Sequence, residues 1–201
     1  LGEVSLIIHG TTVGTNALLE RKGAKTGIIT TKGFRDVIEM RRRDRPETWG
    51  LWGMFEPVVS RDLRVEVDER VLADGTLHTE VDLEEVKQAT ATLLERGAQS
   101  VCIFFMNSYA NDANESAATK TVKDLWPNEH ITSSSEILPE IREFERCSTA
   151  TLNAYLQPNI GDYLERLEGG LRDGGFGGEI LIVQSNGGVM SVDTARHFPV
   201  R

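Results

Sequence analysis

Two polar segments of the sequence directly follow apolar runs, and both carry residue types that bind small ligands. The first segment begins at His9, after the apolar residues 4–8, and runs into a helix-forming stretch. Hydroxyl and backbone N–H groups at a helix start suit a phosphate or carboxylate group. Threonines at such a position are also ordinary helix caps, and a lone histidine is equally consistent with a hydrogen-bonded core residue. The candidate ligand-binding residues here are His9, Thr11, Thr12 and Asn16.

The second segment follows the apolar run at residues 179–184 and contains an Asn-Gly-Gly sequence. Ligands of open α/β sheets gather at the carboxyl ends of strands, where glycines let the backbone come close to them. The same residues are typical of a tight turn with no ligand. The candidate residues are Asn186, Gly187 and Gly188.

A third candidate is a basic cluster with nearby tryptophans, inside a long stretch with no regular pattern. Arginine and aromatic side chains bind anions and anchor protein partners, although a charge run is also typical of a solvated surface. The candidate interface or anion-binding residues are Arg41, Arg42, Arg43, Trp49 and Trp52.

Several kinds of catalytic site have no counterpart in the sequence. The four histidines lack the spacing of a zinc site, so we predict no metal site in this segment. There is also no Walker A motif, no GxSxG elbow and no GxGxxG motif after a strand. The sequence therefore assigns no catalytic residue.

Composition restricts the partners and the compartment. A net charge of -9 opposes binding to nucleic acid, which depends on clusters of Lys and Arg. No run is apolar for long enough to cross a membrane. Cys102 and Cys147 are far apart with no secretory signal before them, which indicates reduced, buried thiols and a cytoplasmic protein.

Apolar strand-like runs alternate with helix-forming stretches along most of the chain, which predicts an α/β fold with mixed sheets and flanking helices. Apolar and polar residues alternate over residues 63–72. Together with the Asp74-Gly75 turn and residues 76–81, this alternation predicts a β-hairpin.

The first residue is not Met, and the chain opens directly into an apolar run. We therefore expect an internal piece of a larger protein.

Four long motifs give the chain a resemblance to the hydantoinase A / 5-oxoprolinase family, which includes N-methylhydantoinases and the ATP-binding subunits of acetone and acetophenone carboxylases. The motifs are HGTTVGTNALLERKGAKTGIITTKGFRDVIEM from His9, VDERVLADG from Val67, EILPEIREFERCSTATLNAYLQP from Glu136 and QSNGGVMS from Gln184. The segment MRRRDRPETWGLWG from Met40 resembles the ketone carboxylase subunits. The resemblance places the remainder of the N-terminal region of the family in residues 1–135. It places the start of the hydantoinase A central domain in residues 136–201.

The resemblance implies part of an actin-like or Hsp70-like ATPase of ribonuclease H-like fold, with the two phosphate-binding loops of the family outside this chain. It implies ATP and Mg2+ as cofactors of the full-length enzyme, with none bound to this fragment alone. The expected activity is phosphorylation of the carbonyl of a cyclic amide, hydantoin or 5-oxoproline-like, for ring-opening hydrolysis. The alternatives are a ketone carboxylase subunit and a non-catalytic scaffold. The expected partners are a small-molecule substrate and a hydantoinase B-type subunit or domain, in an oligomer.

Overall fold

The computed structural model describes residues 2–42 and 55–201. The chain forms two compact units, Lys25–Ala154 and Leu1–Ala24 with Tyr155–Arg201. The first holds the middle of the sequence and the second holds its two ends, and we call them for this reason the central unit and the outer unit. They are units of packing, whereas the boundary expected near residue 135 comes from the family resemblance and stays a prediction.

The central unit contains most of the regular elements. Its strands are β2 (Thr26–Thr31), β3 (Arg64–Val67), β4 (Arg70–Val71), β5 (Leu77–Thr79), β6 (Ser100–Phe104) and β7 (Ile131–Ser133). Its helices are α2 (Val37–Met40), α3 (Leu83–Glu95), α4 (Ala113–Leu125) and α5 (Ser134–Ile137), together with the first part of α6 (Glu143–Asp173).

A parallel sheet in the order β3-β2-β6-β7 forms the centre of this unit. Strands β2 and β6 are buried along their whole length, as expected of parallel strands that are covered on both faces. Ile29 lies opposite Ile103 in the register between them, and both side chains are fully buried. Gly27 is required here because an added Cβ would lie 2.7 Å from a methyl group of Leu93 on α3.

The predicted hairpin is correct only in its second half. Residues 64–67 form β3 and pair in parallel with β2, while only β4 and β5 pair as antiparallel strands. The alternating pattern is the same for a half-buried strand of either sheet, so alternation alone does not define the strand's neighbour.

The outer unit has fewer strands. Its elements are β1 (Leu6–His9), α1 (Val13–Leu19), the rest of α6, β8 (Glu179–Val183), β9 (Val189–Ser191) and α7 (Val192–His197). Strand β8 lies between β1, its parallel neighbour, and β9, its antiparallel neighbour. The helix α6 continues through Pro158.

One face of the outer sheet leaves apolar side chains exposed. Ile8 is 57% exposed and Val189 is 50% exposed, while Ile180 and Ile182 on the opposite face are buried.

Parallel and antiparallel sheets occur together in the chain, so the predicted α/β class with mixed sheets and flanking helices is confirmed. No helix in the described part of the chain has the length and hydropathy to cross a membrane.

Candidate functional site

The two polar segments singled out in the sequence leave the outer sheet at the same edge. Strands β1 and β8 are parallel neighbours, with His9 opposite Ile182. The segment that starts at Gly10 and the turn that starts at Gln184 therefore both follow a carboxyl end of this sheet. Polar side chains from two distant parts of the sequence are brought to one edge, which we call the β1–β8 edge.

The threonines after β1 are exposed and only lightly bonded. Thr11 Oγ1 accepts a hydrogen bond of 3.2 Å from the amide of Val13. Thr12 is the N-cap residue of α1 but makes no side-chain cap hydrogen bond, and its hydroxyl meets the amide group of Asn16 only at 3.5 Å. The Thr11 hydroxyl therefore bonds a backbone amide at the start of α1, while Thr12, the N-cap residue, is exposed and makes no cap hydrogen bond through its side chain.

His9 has a specific partner that the sequence did not indicate. Its Nε2 atom lies 2.7 Å from the hydroxyl oxygen of Tyr163, on helix α6. The spacing of Ile160, Tyr163 and Leu164 places Tyr163 next to two buried side chains of the helix. That periodicity indicates that Tyr163 lies on or beside the buried face of the helix. Nothing in the sequence indicates that its partner is His9, which is 154 positions away.

The Asn-Gly-Gly segment forms a tight turn between β8 and β9. The amide of Gln184 donates to the carbonyl of Gly188 at 2.7 Å, and Asn186 Oδ1 accepts from the amide of Gly188 at 2.9 Å. Gly187 has a φ of +86°, in the region that side chains rarely adopt. The tight-turn interpretation is confirmed, and a ligand-binding role for these residues stays a prediction.

The basic cluster is only partly described. The guanidinium group of Arg41 lies 4.5 Å from the ring centroid of Phe55, and Arg42 forms an ion pair with Glu145 on α6. Arg43, Trp49 and Trp52 lie outside the described residues.

A buried polar network in the central unit is the largest feature that sequence patterns missed. Glu115 on α4 is fully buried. Its carboxylate accepts hydrogen bonds from the hydroxyls of Ser133 (2.7 Å) and Ser134 (2.9 Å) and from the amides of Phe105 (2.8 Å) and Ser135 (2.7 Å). Glu115 therefore connects the ends of β6 and β7.

A second buried carboxylate lies at the end of β2. Glu69 accepts hydrogen bonds from the Thr31 hydroxyl and from Asn114 Nδ2, the latter at 2.9 Å. Burial raises the pKa of Glu69 above its ordinary value, and the two hydrogen bonds only partly oppose this shift. Arg146 on α6 is also buried and donates to the carbonyl of Phe105 at 2.8 Å. Its pKa is lowered by burial.

Two further features concern the thiols and the side chains that could bind a metal ion. Cys102 and Cys147 are buried free thiols, as predicted, and burial raises the pKa of Cys147 to about 12. Among residues 2–42 and 55–201, no group of three or more His, Cys, Asp or Glu side chains is placed to hold a metal ion.

Two family models match the chain. The hydantoinase/oxoprolinase N-terminal region matches residues 1–126, and the hydantoinase/oxoprolinase model matches residues 146–201. Caprolactamase subunit alpha from Pseudomonas jessenii is 33% identical over 94% of this chain and 28% of its own length. The 5-oxoprolinase of Dictyostelium discoideum is 31% identical over 97% of this chain and 17% of its own length. The acetophenone carboxylase gamma subunit of Aromatoleum aromaticum is 28% identical over 94% of this chain and 28% of its own length.

Solved structures agree with the sequence comparisons. The crystal structure of ATP-dependent caprolactamase from Pseudomonas jessenii superposes with a TM-score of 0.87 at 32% identity, over 94% of this chain and 28% of that one. A nucleotide-free acetone carboxylase superposes with a TM-score of 0.81 at 21% identity, over 96% of this chain and 29% of that one, which is a likeness of fold alone. The chain spans less than a third of the length of each of these three relatives.

Proposed function

Because this chain belongs to the hydantoinase/oxoprolinase family, we propose that it forms part of an ATP-dependent enzyme that opens a cyclic amide by hydrolysis. Two relatives are named a caprolactamase and a 5-oxoprolinase, and caprolactam and 5-oxoproline are both cyclic amides. ATP supplies a phosphoryl group that makes the amide carbonyl carbon open to attack by water. A hydantoin or a 5-oxoproline-like lactam is the substrate class that this chemistry fits.

The observation that carries the proposal is the exposed β1–β8 edge. The hydroxyls of Thr11 and Thr12 and the amide of Asn16 donate hydrogen bonds to anionic oxygens of the nucleotide or of the activated carbonyl. Their exposure and light bonding support this role, because donors already bonded within the protein would have to exchange partners first.

We assign the turn after β8 to the second side of the site at the β1–β8 edge. Gly187 and Gly188 carry no side chain, so the backbone of the turn approaches a bound phosphate or sugar closely. Asn186 holds the turn closed through its bond to Gly188. We assign no Mg2+ ligand to this chain, because the described residues offer no cluster of carboxylates for it.

The imidazole of His9 is the group of this edge that is suited to general acid–base catalysis. The 2.7 Å contact with Tyr163 fixes the Nε2 atom of His9. It therefore also fixes the orientation of the ring and the direction in which Nδ1 points. We assign to His9 the exchange of a proton with the substrate or its attacking water, and to Tyr163 the orientation of the ring.

A ketone carboxylase subunit is the second candidate. The acetophenone carboxylase gamma subunit among the relatives favours it, as does the sequence from Met40 to Gly53. In either case the enzyme would work with a hydantoinase B-type subunit or domain in an oligomer, and the relatives named as alpha and gamma subunits support that expectation. We place the enzyme in the cytoplasm, which the free thiols support.

The test is ADP release by the full-length protein with its partner subunit. Stimulation by 5-oxoproline or a hydantoin is the expected result, and stimulation only by a ketone with bicarbonate would replace the hydrolase with the carboxylase. Thr12→Ala should lower the rate about tenfold or more if it loses an oxyanion donor. Thr92→Ala, on α3 in the central unit, is the matched control and should retain the rate.

The isolated chain gives a separate result. We expect no ATP hydrolysis and no tight ATP binding from residues 1–201 alone, because the family's phosphate-binding loops are not in this sequence. Calorimetry that found a Kd of about 1 μM for ATP with this segment would contradict that expectation.

A further inference from the structure

The carboxyl end of the central sheet is the place where an α/β sheet ordinarily receives a ligand, at the point where the strand order reverses. In this sheet that point lies between β2 and β6. The buried side chains of Thr31, Glu69 and Asn114 are hydrogen-bonded to one another there. The chain's own side chains thus fill the usual position, and a ligand of this sheet would bind beside it.

A cleft of about 450 Å³ opens beside it, at the carboxyl end of the strand β7. Its volume lies within the range of roughly 300–1,000 Å³ that is usual for small-molecule sites. We call it the α4–α5 cleft. Its lining consists of polar side chains from the two helices and from the end of β7: Asp112, Ser116, Thr119, Lys120, Lys123, Ser133, Ser135 and Glu136.

Hydrogen bonds to a buried carboxylate fix the side of the cleft that lies at the end of β7. The hydroxyl of Ser133 and the amide of Ser135 both donate to the buried carboxylate of Glu115 at 2.7 Å. The hydroxyls of Ser133 and Ser135 are 3.1 Å apart. This wall is therefore ordered before any ligand arrives, which lowers the entropic cost of binding.

The lining of the cleft carries balanced charges, of which Asp112 already accepts a hydrogen bond of 3.2 Å from Ser116. Lys120 and Lys123 make no ion pair with any residue that the structure describes, whereas the exposed Lys87 on α3 pairs with Glu84 at 2.6 Å. Asp112 and Glu136 supply two carboxylates, so the lining carries as many acids as lysines. A simple anion such as phosphate would meet repulsion from both acids.

A buried hydroxyl in the wall of the cleft also lacks a partner. Thr119 is 7% exposed, and its Oγ1 atom has no hydrogen bond to any described residue. Thr121 on the same helix instead donates to the carbonyl of Ala117 at 3.1 Å. Leaving a buried hydroxyl unbonded costs about 1–3 kcal/mol, so a polar group that reached Thr119 from the cleft would recover part of this cost.

We propose that the α4–α5 cleft binds a small amino acid in its zwitterionic form. Lys120 and Lys123 receive the carboxylate, Asp112 and Glu136 receive the ammonium group, and the hydroxyls bond the remaining polar atoms. Asp112 is the N-cap residue of α4 and Lys120 lies about 12 Å further along the helix axis, so an acidic and a basic end of the cleft are separated along α4. None of these residues is among those assigned to the β1–β8 edge, so the test of this site does not rest on the proposed function.

The test is isothermal titration of the full-length protein with glutamate and with 6-aminohexanoate, with acetate, phosphate and butylamine as ligands of one charge. We expect saturable binding of one of the amino acids with a Kd of about 1 mM or below, and at least tenfold weaker binding of the three comparison ligands. The double variant Lys120→Ala, Lys123→Ala should weaken amino-acid binding about tenfold, as expected when the charged partners of a carboxylate are lost.

The control is the double variant Lys32→Ala, Lys87→Ala, which removes two exposed lysines of the same unit outside the cleft and should bind as the parent does. Far-UV circular dichroism establishes that each variant is folded. No saturable binding of either amino acid would overturn the proposal. So would acetate or phosphate binding as tightly as the amino acids, or undiminished binding by the Lys120 and Lys123 double variant, which would place any bound amino acid elsewhere on the protein.

Discussion

The central and outer units place polar side chains at the same kind of position, the carboxyl end of a parallel strand, with opposite results. In the central unit, Glu69 and Glu115 are buried and bonded by side chains from other elements. In the outer unit, Thr12 and Asn186 are exposed and form few hydrogen bonds. A polar side chain at the end of a strand therefore becomes part of the scaffold when another element supplies its partners. It stays available for a ligand when no element does.

The largest expected effect comes from removing the centre of the buried network. Glu115→Ala leaves the amides of Phe105 and Ser135 without their acceptor, and each buried unsatisfied group costs about 1–3 kcal/mol. With the lost packing, we expect the free energy of unfolding to fall by about 4 kcal/mol or more. Urea denaturation followed by circular dichroism measures it. Asp124→Ala, at an exposed position of the same helix, should change stability little, and an equal loss in both variants would refute the structural role.

The next contrast compares one isoleucine from each sheet. Ile103→Ala opens a cavity in the core of the central unit, where the residue is fully buried, and should cost about 3 kcal/mol. Ile8→Ala, at a residue that is 57% exposed, should cost less than about 1 kcal/mol. Urea denaturation of both variants measures their free energies of unfolding. A large loss of stability in Ile8→Ala would mean that the exposed face of the outer sheet is covered.

The buried carboxylate of Glu69 predicts a smaller, pH-dependent effect. Its pKa is raised in the folded state, chiefly by burial, so the folded protein holds this proton more tightly than the unfolded chain. Stability from this group is fully present below the ordinary pKa of 4.5 and is lost as the pH rises through the folded-state pKa. Glu69→Gln should flatten the decline in unfolding free energy above pH 4.5. An unchanged slope in the variant would assign the decline to other groups.

The smallest effect concerns the cysteines of the central unit. Burial raises the pKa of Cys147 to about 12 and that of Cys102 well above its ordinary value, so neither is a thiolate at neutral pH. Iodoacetamide should leave both unmodified in the native protein and alkylate both in urea, as measured by intact mass. Rapid alkylation of the native protein would show that the core of the central unit opens.

Sequence patterns predicted the α/β class because burial at the strands gives continuous apolar runs, as at β6. They also located both segments of the β1–β8 edge, since turn and strand signals are local. The pairing of β1 with β8 joins residues more than 170 positions apart and has no local signal. For the same reason the partners Tyr163 and Glu115 were not found, and β3 was assigned to a hairpin because alternation does not identify a strand's neighbour.

The most direct test of the difference between the two units measures activity and stability together in two variants of the full-length protein. Thr12→Ala should lower ADP release about tenfold or more with its unfolding free energy unchanged. Ser134→Ala should lower the unfolding free energy by about 1–2 kcal/mol, because Glu115 loses a buried donor, while the rate per folded molecule is retained. Wild-type activity in Thr12→Ala, or a loss of activity in folded Ser134→Ala, would contradict the assignment of the β1–β8 edge as the functional site and of the central network as its scaffold.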